Sequence, residues 1–333
     1  MSVTVVLVGP TAVGKSALAV ALAERFGEDG RQAEVINADS MLIYRGMDIG
    51  TAKPTAAERR NIPHHLIDIL DVGQPAAVAE FQQLARKAIA GCRRRGVVPI
   101  VVGGSALYVR AIIDDFAFPG TDPRLRAHLE DELARLGPQQ LHARLAERDP
   151  QAAAKIESGN GRRIVRALEV LALTGRPFRA SLPPHRYVLP DVIQIGLDID
   201  RATLDRRVAA RVEAMWVTGV VAEVRALEAA GLRSGRTASR ALGYRQVLDL
   251  LAGTIGEAEA KEQTIAATRR FARRQDSWFR KDPRIRWLRY DDPQLLESAY
   301  VLAAGNEAGP GSTGHSGTGD SPAGQRGLPH MED

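Results

Sequence analysis

The stretch Gly9-Pro10-Thr11-Ala12-Val13-Gly14-Lys15-Ser16 has glycine at its first and sixth positions and ends in Lys-Ser, the pattern G-x-x-x-x-G-K-[ST]. Its glycines let the backbone curl so that successive N–H groups point inward at an anion. Lys15 adds a positive charge near the terminal phosphate, and the Ser16 hydroxyl can reach a bound Mg²⁺. The stretch stands between an apolar run, residues 3–8, and helically spaced apolar residues at 16–26. The mechanism needs that placement, because the following helix aims its positive end at the phosphate. Gly9, Pro10, Thr11, Ala12, Val13, Gly14, Lys15 and Ser16 are therefore candidate ligands for a diphosphate or nucleotide, with Ser16 as the candidate metal ligand.

Working outward, residues 35–38 and 97–102 are further short apolar runs, 65–70 is a third candidate strand, and 78–94 has amphipathic helical spacing. Strand and helix alternate, as in a doubly wound parallel sheet of P-loop NTPase type. From residue 122 to 174 only helices are expected, broken at Gly137-Pro138, Asp149-Pro150 and Gly159-Asn160. A Pro-rich connection spans 177–190, and a strand returns at 192–199. Helices follow from 203, including 221–230, 240–251 and 256–281, and residues 284–290 read as an edge strand. The expected division is a first part of an α/β core at 1–115, a helical insertion at 116–190, and a second core part with helices at 191–305. The tail at 306–333 is rich in Gly, Ser and Thr and is expected to be disordered.

Bulk properties narrow the classes. The chain has 333 residues, 44% of them hydrophobic, enough for a substantial core. A single cysteine, Cys92, excludes an internal disulfide and fits a reducing cytosol. No Cys/His group has metal-ligand spacing, and the apolar run at 3–8 is too short for a signal or membrane segment. The net charge of +5 permits a polyanionic partner. Nothing in the sequence demands an obligate interface, so a cytoplasmic monomer is expected.

Two features separate the phosphate loop from an ordinary ATPase or kinase. Those enzymes need a carboxylate at the end of a buried strand, yet 97–102 runs into Gly103-Gly104-Ser105. The acid at a strand end is instead Asp39, in Asn37-Ala38-Asp39-Ser40, at the carboxyl edge where α/β sheets bind ligands. There it is better placed to take a proton from an acceptor. The second feature is nine basic against two acidic residues between Arg269 and Arg289. On a helix Arg270, Arg273, Arg274 and Lys281 share one face, while Thr268, Ala272, Gln275 and Phe279 form another. Further basic groups are Arg162, Arg163 and Arg166, and Arg240 with Arg245. Three such clusters favour an extended nucleic acid. A small-molecule kinase and a nucleotide-gated RNA-binding adaptor remain alternatives at this level.

The motifs together resemble the tRNA dimethylallyltransferase family: residues 9–16, 39–54 (DSMLIYRGMDIGTAKP), 63–66 (PHHL), 103–108 (GGSALY), 163–170 (RIVRALEV), 241–246 (ALGYRQ) and 273–278 (RRQDSW) occur in that family's order. The resemblance implies transfer of a dimethylallyl group from dimethylallyl diphosphate to the N6 amino group of the adenosine 3′-adjacent to the anticodon, in tRNAs reading codons that begin with U. It implies Mg²⁺ as cofactor and an insertion that clasps the anticodon stem-loop. Carried over by motif position, Asp39 is the proton acceptor, with Lys15 and Ser105 also in the catalytic set. The tRNA path takes Asp39, Ser40, Met41, Leu42, Ser105, Arg126, Arg162, Arg163, Ile164, Val165, Arg166, Arg240, Gly243, Tyr244, Arg245, Arg273, Arg274, Gln275 and Arg280. Ser105 stands where the family usually has threonine, which keeps the hydroxyl and loses a methyl. A relative that prenylates free adenine nucleotides competes with this reading, and the arginine clusters favour tRNA.

Overall fold

The computed structural model describes residues 3–178 and 183–305; the tail expected to be disordered lies outside them. One sheet contains β1 (Thr4–Val8), β2 (Ala33–Asn37), β3 (His64–His65), β4 (Val98–Val102), β5 (Val192–Asp198) and β6 (Ile285–Arg289). Their order is β3-β2-β4-β1-β5-β6 and every adjacent pair is parallel. The first half carries helices α1 (Lys15–Glu28), α2 (Ala56–Arg59), α3 (Val78–Arg94) and α4 (Ala106–Ile113). Helices α5 (Pro123–Leu136), α6 (Pro138–Arg148), α7 (Pro150–Ala153) and α8 (Gly161–Thr174) follow without an intervening strand. The rest carries α9 (Arg201–Thr218), α10 (Val220–Ala229), α11 (Tyr244–Leu251), α12 (Glu257–Phe279) and α13 (Leu295–Gly305).

The β-branched strands explain the sheet's burial. Every residue of β1 and β4 is buried, because helices cover both faces of a parallel sheet. Val6 and Val8 enter one core with Ile36, Val101 and Ile112, while Val5 and Leu7 enter a second with Leu22, Phe26 and Ile100. Helix α13 closes the second core, its Tyr300 meeting Phe26 edge-on at 5.1 Å. Helices α5–α8 have a core of their own, built on Leu129, Leu141, Leu145, Ile164, Val165 and Leu168.

The strand expected at 65–70 is shorter than its composition suggests. His64 and His65 pair with Val35 and Ile36, and Leu70 makes only an isolated parallel bridge to Tyr44. Leu66 and Asp68 take left-handed backbone angles, φ 63° and 57°, which an extended strand cannot continue. The expected strand at 284–290 is β6, parallel to β5.

The end of β4 approaches the end of β2 so closely that only glycine fits between them. A Cβ on Gly103 would lie 2.4 Å from the Ala38 carbonyl oxygen. We expect Gly103→Ala to destabilise the fold by about 1–3 kcal/mol, the usual range for overpacking. Its thermal midpoint should fall by several degrees, and an unchanged midpoint would contradict this close approach.

Candidate functional site

The phosphate loop leaves β1 at the centre of the sheet and enters α1. Gly9 and Gly14 have φ of 139° and 112°, and Ala12 also lies in the left-handed region at 66°. That conformation strains a residue with a Cβ, and tertiary contacts hold it. Ala12 packs against Leu204 and Val208 of α9 and Ala272 of α12. Its carbonyl accepts from Arg207 Nε at 2.8 Å. No side chain caps α1, whose N-cap is Gly14, so the first N–H groups of that helix remain for a ligand.

Gln275 fastens the loop to the neighbouring strand end. Its Oε1 accepts from the Thr11 N–H at 2.8 Å, and its Nε2 donates to the Gly104 carbonyl at 2.8 Å. Gln275 is buried. It therefore serves the loop from behind, on the docked face of α12 that helical periodicity assigns to it, while the family resemblance sets it on the tRNA path.

Cations surround the loop. Lys15 Nζ donates to the Pro10 carbonyl at 2.7 Å, and Arg211 Nη1 donates to Thr11 Oγ1 at 3.1 Å. Among the described residues neither Lys15, Arg207 nor Arg211 has an ion pair with a carboxylate, unlike Arg269, which meets Asp205 on the same side of α12. Arg207 and Arg211 are site residues that the motif reading missed. They lie about 195 residues beyond the loop, and only their one-turn spacing on a helix signals them. Burial pushes the Lys15 amine down from 10.5 to about 8; Asp39 opposes that shift and Arg211 adds to it. Burial also lowers the Arg211 guanidinium, with Arg207 adding to the effect and Asp39 opposing it.

Asp39 follows β2 at the carboxyl edge. Asn37 shapes the turn: its Oδ1 accepts from the Asp39 N–H at 2.8 Å and its Nδ2 donates to the Asp39 and Leu66 carbonyls, both at 3.0 Å. Asp39 Oδ1 accepts from the Met41 N–H at 2.8 Å. Among the described residues no hydrogen bond engages Asp39 Oδ2. Ser40 and Ser105 bring their hydroxyls within 3.3 Å of each other, joining the ends of β2 and β4. Asp39, Ser40, Met41, Leu42 and Ser105 are all partly exposed at this edge.

The segment after Asp39 is clamped by Glu223 of α10. This carboxylate accepts the Asp48, Ile49 and Gly50 N–H groups at 3.0, 2.6 and 3.1 Å, and the Tyr244 hydroxyl at 2.6 Å. Sequence reading gave no signal for Glu223. Tyr244, named for the tRNA path, is fully buried against Gly50, and Gly243 beside it is buried too. Tyr44 and Tyr108 are likewise buried. Among the described residues of α12, Trp278 is an exposed aromatic side chain.

The remaining tRNA-path residues divide by partner. Arg162, Arg163, Arg240, Arg245 and Arg274 are exposed, and Arg273 is partly so. Ile164 and Val165 are core residues of α5–α8. Arg126 and Arg166 both reach the buried Glu169, each at 2.6 Å. Burial alone would raise the Glu169 carboxyl; Arg126, Thr121 and Arg166 hold it down to about 2 instead. Arg280 pairs with Asp198 and Asp276 and stacks on Trp287 at 3.8 Å.

Ser16, at the start of α1, is exposed. With the oxygens of a bound diphosphate it offers the hard donors that Mg²⁺ prefers, so the residues present fit that ion. One cluster absent from the sequence spacing also emerges: Glu34, His65 and Cys92 bring their ligand atoms within 4.8 Å of one another. Arg95 already lies 2.5 Å from Glu34, and His65 lies 2.7 Å from it. Among the described residues no helix is long and apolar enough to cross a membrane.

The central strand and the curled loop at the carboxyl edge of a parallel sheet, with cations around it, define a protein of P-loop type. The family model described as IPP transferase matches residues 42–282. A tRNA dimethylallyltransferase of Thermobifida fusca is 60% identical over 302 residues, covering 91% of this chain and 94% of that protein. One of Kineococcus radiotolerans is 64% identical over 285 residues, covering 85% and 90%. Among solved structures, the tRNA isopentenylpyrophosphate transferase of Bacillus halodurans matches with a TM-score of 0.67 at 38% identity, covering 92% of this chain and 97% of that one. A eukaryotic dimethylallyltransferase acting on tRNA matches with a TM-score of 0.74 at 26% identity, covering 92% and 78%. The chain belongs to the IPP transferase family.

The Lys15 shift has a sign that can be tested. The folded chain holds this proton less tightly than the unfolded chain, so this group favours folding more as pH rises between about 8 and 10.5. Anion binding needs the ammonium form and runs the other way. We expect affinity for inorganic diphosphate, titrated calorimetrically, to weaken by about ten-fold as pH rises past the Lys15 value. Lys15→Arg, which stays protonated, should remove that inflection.

Proposed function

We propose that this chain transfers a dimethylallyl group from dimethylallyl diphosphate to the N6 amino group of the adenosine 3′-adjacent to the anticodon in tRNAs reading codons that begin with U, releasing diphosphate. The observation that carries the reading is the convergence of the phosphate loop and Asp39 at one sheet edge, close enough for Asp39 to act on both Lys15 and Arg211. A diphosphate leaving group and a proton acceptor are the two things that alkylation of an amine by an allylic diphosphate requires. Family membership favours this reading over a kinase.

The loop N–H groups, Lys15 and Arg211 meet the charge that the diphosphate gains as its bond to the allylic carbon breaks. Mg²⁺, held by Ser16 and the diphosphate oxygens, would supply Lewis-acid stabilisation of the same leaving group. The adenine N6 amine is a weak nucleophile because its lone pair is delocalised into the ring. It becomes acidic as its nitrogen bonds carbon, and Asp39 Oδ2 is the group available to accept that proton. Ser105 and Ser40, partly exposed beside Asp39, can donate hydrogen bonds that orient the base. The base must leave its stack to arrive there.

In this reading the tRNA runs over the exposed arginines of α8, α11 and α12 and the short turn just before α11, with Arg162, Arg163, Arg240, Arg245, Arg273 and Arg274 against its phosphates. Helices α5–α8, with their separate core, would clasp the anticodon stem as an insertion. The chain would act as a cytoplasmic monomer.

Asp39→Asn keeps the side-chain oxygen that accepts from Met41 and removes the proton acceptor. We expect label transfer from dimethylallyl diphosphate to an anticodon stem-loop to slow by about 10²–10⁴, with RNA affinity nearly unchanged. A near-normal rate would sink the base role, and label appearing on AMP in preference to RNA would sink the tRNA reading. Affinity of the wild-type chain for tRNA should also fall steeply between about 50 and 200 mM salt, because phosphate contacts release counterions.

A further inference from the structure

The end of α12 carries charge that no carboxylate among the described residues neutralises. Arg269, Arg280 and Arg284 all have carboxylate partners. Among the described residues, Arg270, Arg273, Arg274 and Lys281 have none. These four line a surface groove of about 390 Å³ together with Ser277 and Trp278. Like charges one turn apart on a helix repel, and a bound polyanion would relieve that repulsion.

The groove has a neighbour of opposite character. Trp278 and Lys281 are shared with a cavity of about 280 Å³, walled by Ala106 and Val109 of α4 and Phe279 of α12. Of the charged groups that border this cavity, Lys281 lacks a carboxylate partner, while Arg110, Asp282 and His185, which lies 3.7 Å from Asp282, are engaged. Arg110 donates to Asp114 at 2.8 Å and to the Pro183 carbonyl at 2.6 Å, and Asp282 pairs with Arg284 at 2.7 Å. With Lys281 its one cation lacking a carboxylate partner among the described residues, the cavity offers a phosphate less than the adjoining groove, which holds four. The cavity's size, near the lower end of small-molecule sites, suits one flat heteroaromatic ring. Trp278 stands at the boundary with 43% of its surface exposed, where its indole can face a ring entering from the groove.

The cavity runs away from the edge that carries Asp39. Ala106 follows Ser105 directly, so the cavity begins beside the reaction edge. Its floor reaches Gln194, which pairs with Val6 in the sheet, three residues before the phosphate loop starts at Gly9. At about 3.3 Å per strand residue, that floor lies about 10 Å below the edge that carries Asp39.

We propose that the cavity beside Trp278 is a second base-binding site, holding one unstacked nucleobase of the acceptor RNA loop other than the reacting adenine, while Arg270, Arg273 and Arg274 contact the adjoining phosphates. Unstacked loop bases are recognised by aromatic and cationic side chains in this way. The proposal rests on the RNA-acceptor reading above.

The test is an abasic scan with the full chain. Stem-loop RNAs that each lack one loop base are titrated against wild type, Trp278→Ala and Trp278→Phe by fluorescence anisotropy. We expect Trp278→Ala to weaken intact RNA about ten-fold, the scale of one lost base stack, and Trp278→Phe to restore much of it. One abasic position, not the target adenosine, should weaken wild type equally and cause no further loss in Trp278→Ala. Affinity for dimethylallyl diphosphate should be unchanged in both variants, which shows that the fold is intact. If every abasic loss adds to the Trp278→Ala loss, no base stacks there and the proposal falls. If the shared position is the target adenosine, the cavity belongs to the reaction site and the proposal falls while RNA recognition stands. If wild type binds no stem-loop at any salt concentration, the RNA reading itself falls and takes this proposal with it.

Discussion

The site depends on one buried amide. Gln275 satisfies the Thr11 N–H on one side and the Gly104 carbonyl on the other, and an unmatched backbone group in that position would be expensive. Through it α12 sets the distance between the phosphate loop and the end of β4. A Cβ on Gly104 would lie 2.3 Å from the Gln275 amide nitrogen, so the glycine pair after β4 is the steric counterpart of that bond. The strained Ala12 backbone is held by the same helix together with α9. Strain of this kind persists only where the surroundings over-determine it, and here two helices do.

Around this fixed loop the fold sorts its charges into two groups. Glu169 with Arg126 and Arg166, Asp114 with Arg110 and Arg284, and Lys53 with Asp48 and Asp68 are closed networks that tie elements together. Lys15, Arg207 and Arg211 at the loop, and Arg270, Arg273 and Arg274 on α12, are left without carboxylate partners among the described residues. Half-buried cations are costly unless paired, so an anion at the loop would offset the cost of Lys15 and Arg211. This division separates the arginines that hold the fold from those free to meet a substrate, which composition cannot do.

Much of the architecture was legible along the chain. Consecutive β-branched residues announced β1 and β4, and helical spacing placed Ala272, Gln275 and Phe279 on the docked face of α12 and Arg270 and Arg274 on the exposed one, as the burial pattern has them, while Thr268 and Arg273 are both partly exposed and Lys281 lies past the helix end. The loop motif and Asp39 were visible because each lies within a few residues of a strand end. Arg211, Glu223 and the grouping of Glu34, His65 and Cys92 were not. Each meets its partner from a distant segment, and the left-handed angles at Leu66 and Asp68 that shorten β3 have no glycine to announce them.

The sequence by itself determined the parallel α/β core, the phosphate loop, the acid at the edge and the family, because those signals are local: spacing, β-branching and contiguous motifs. Tertiary structure alone decided which cations remain unpaired, which tRNA-path residues are buried supports, and how the loop after Asp39 is held by Glu223. Those outcomes arise from contacts between residues up to 264 positions apart, and no local pattern records the pairings that a packed core imposes.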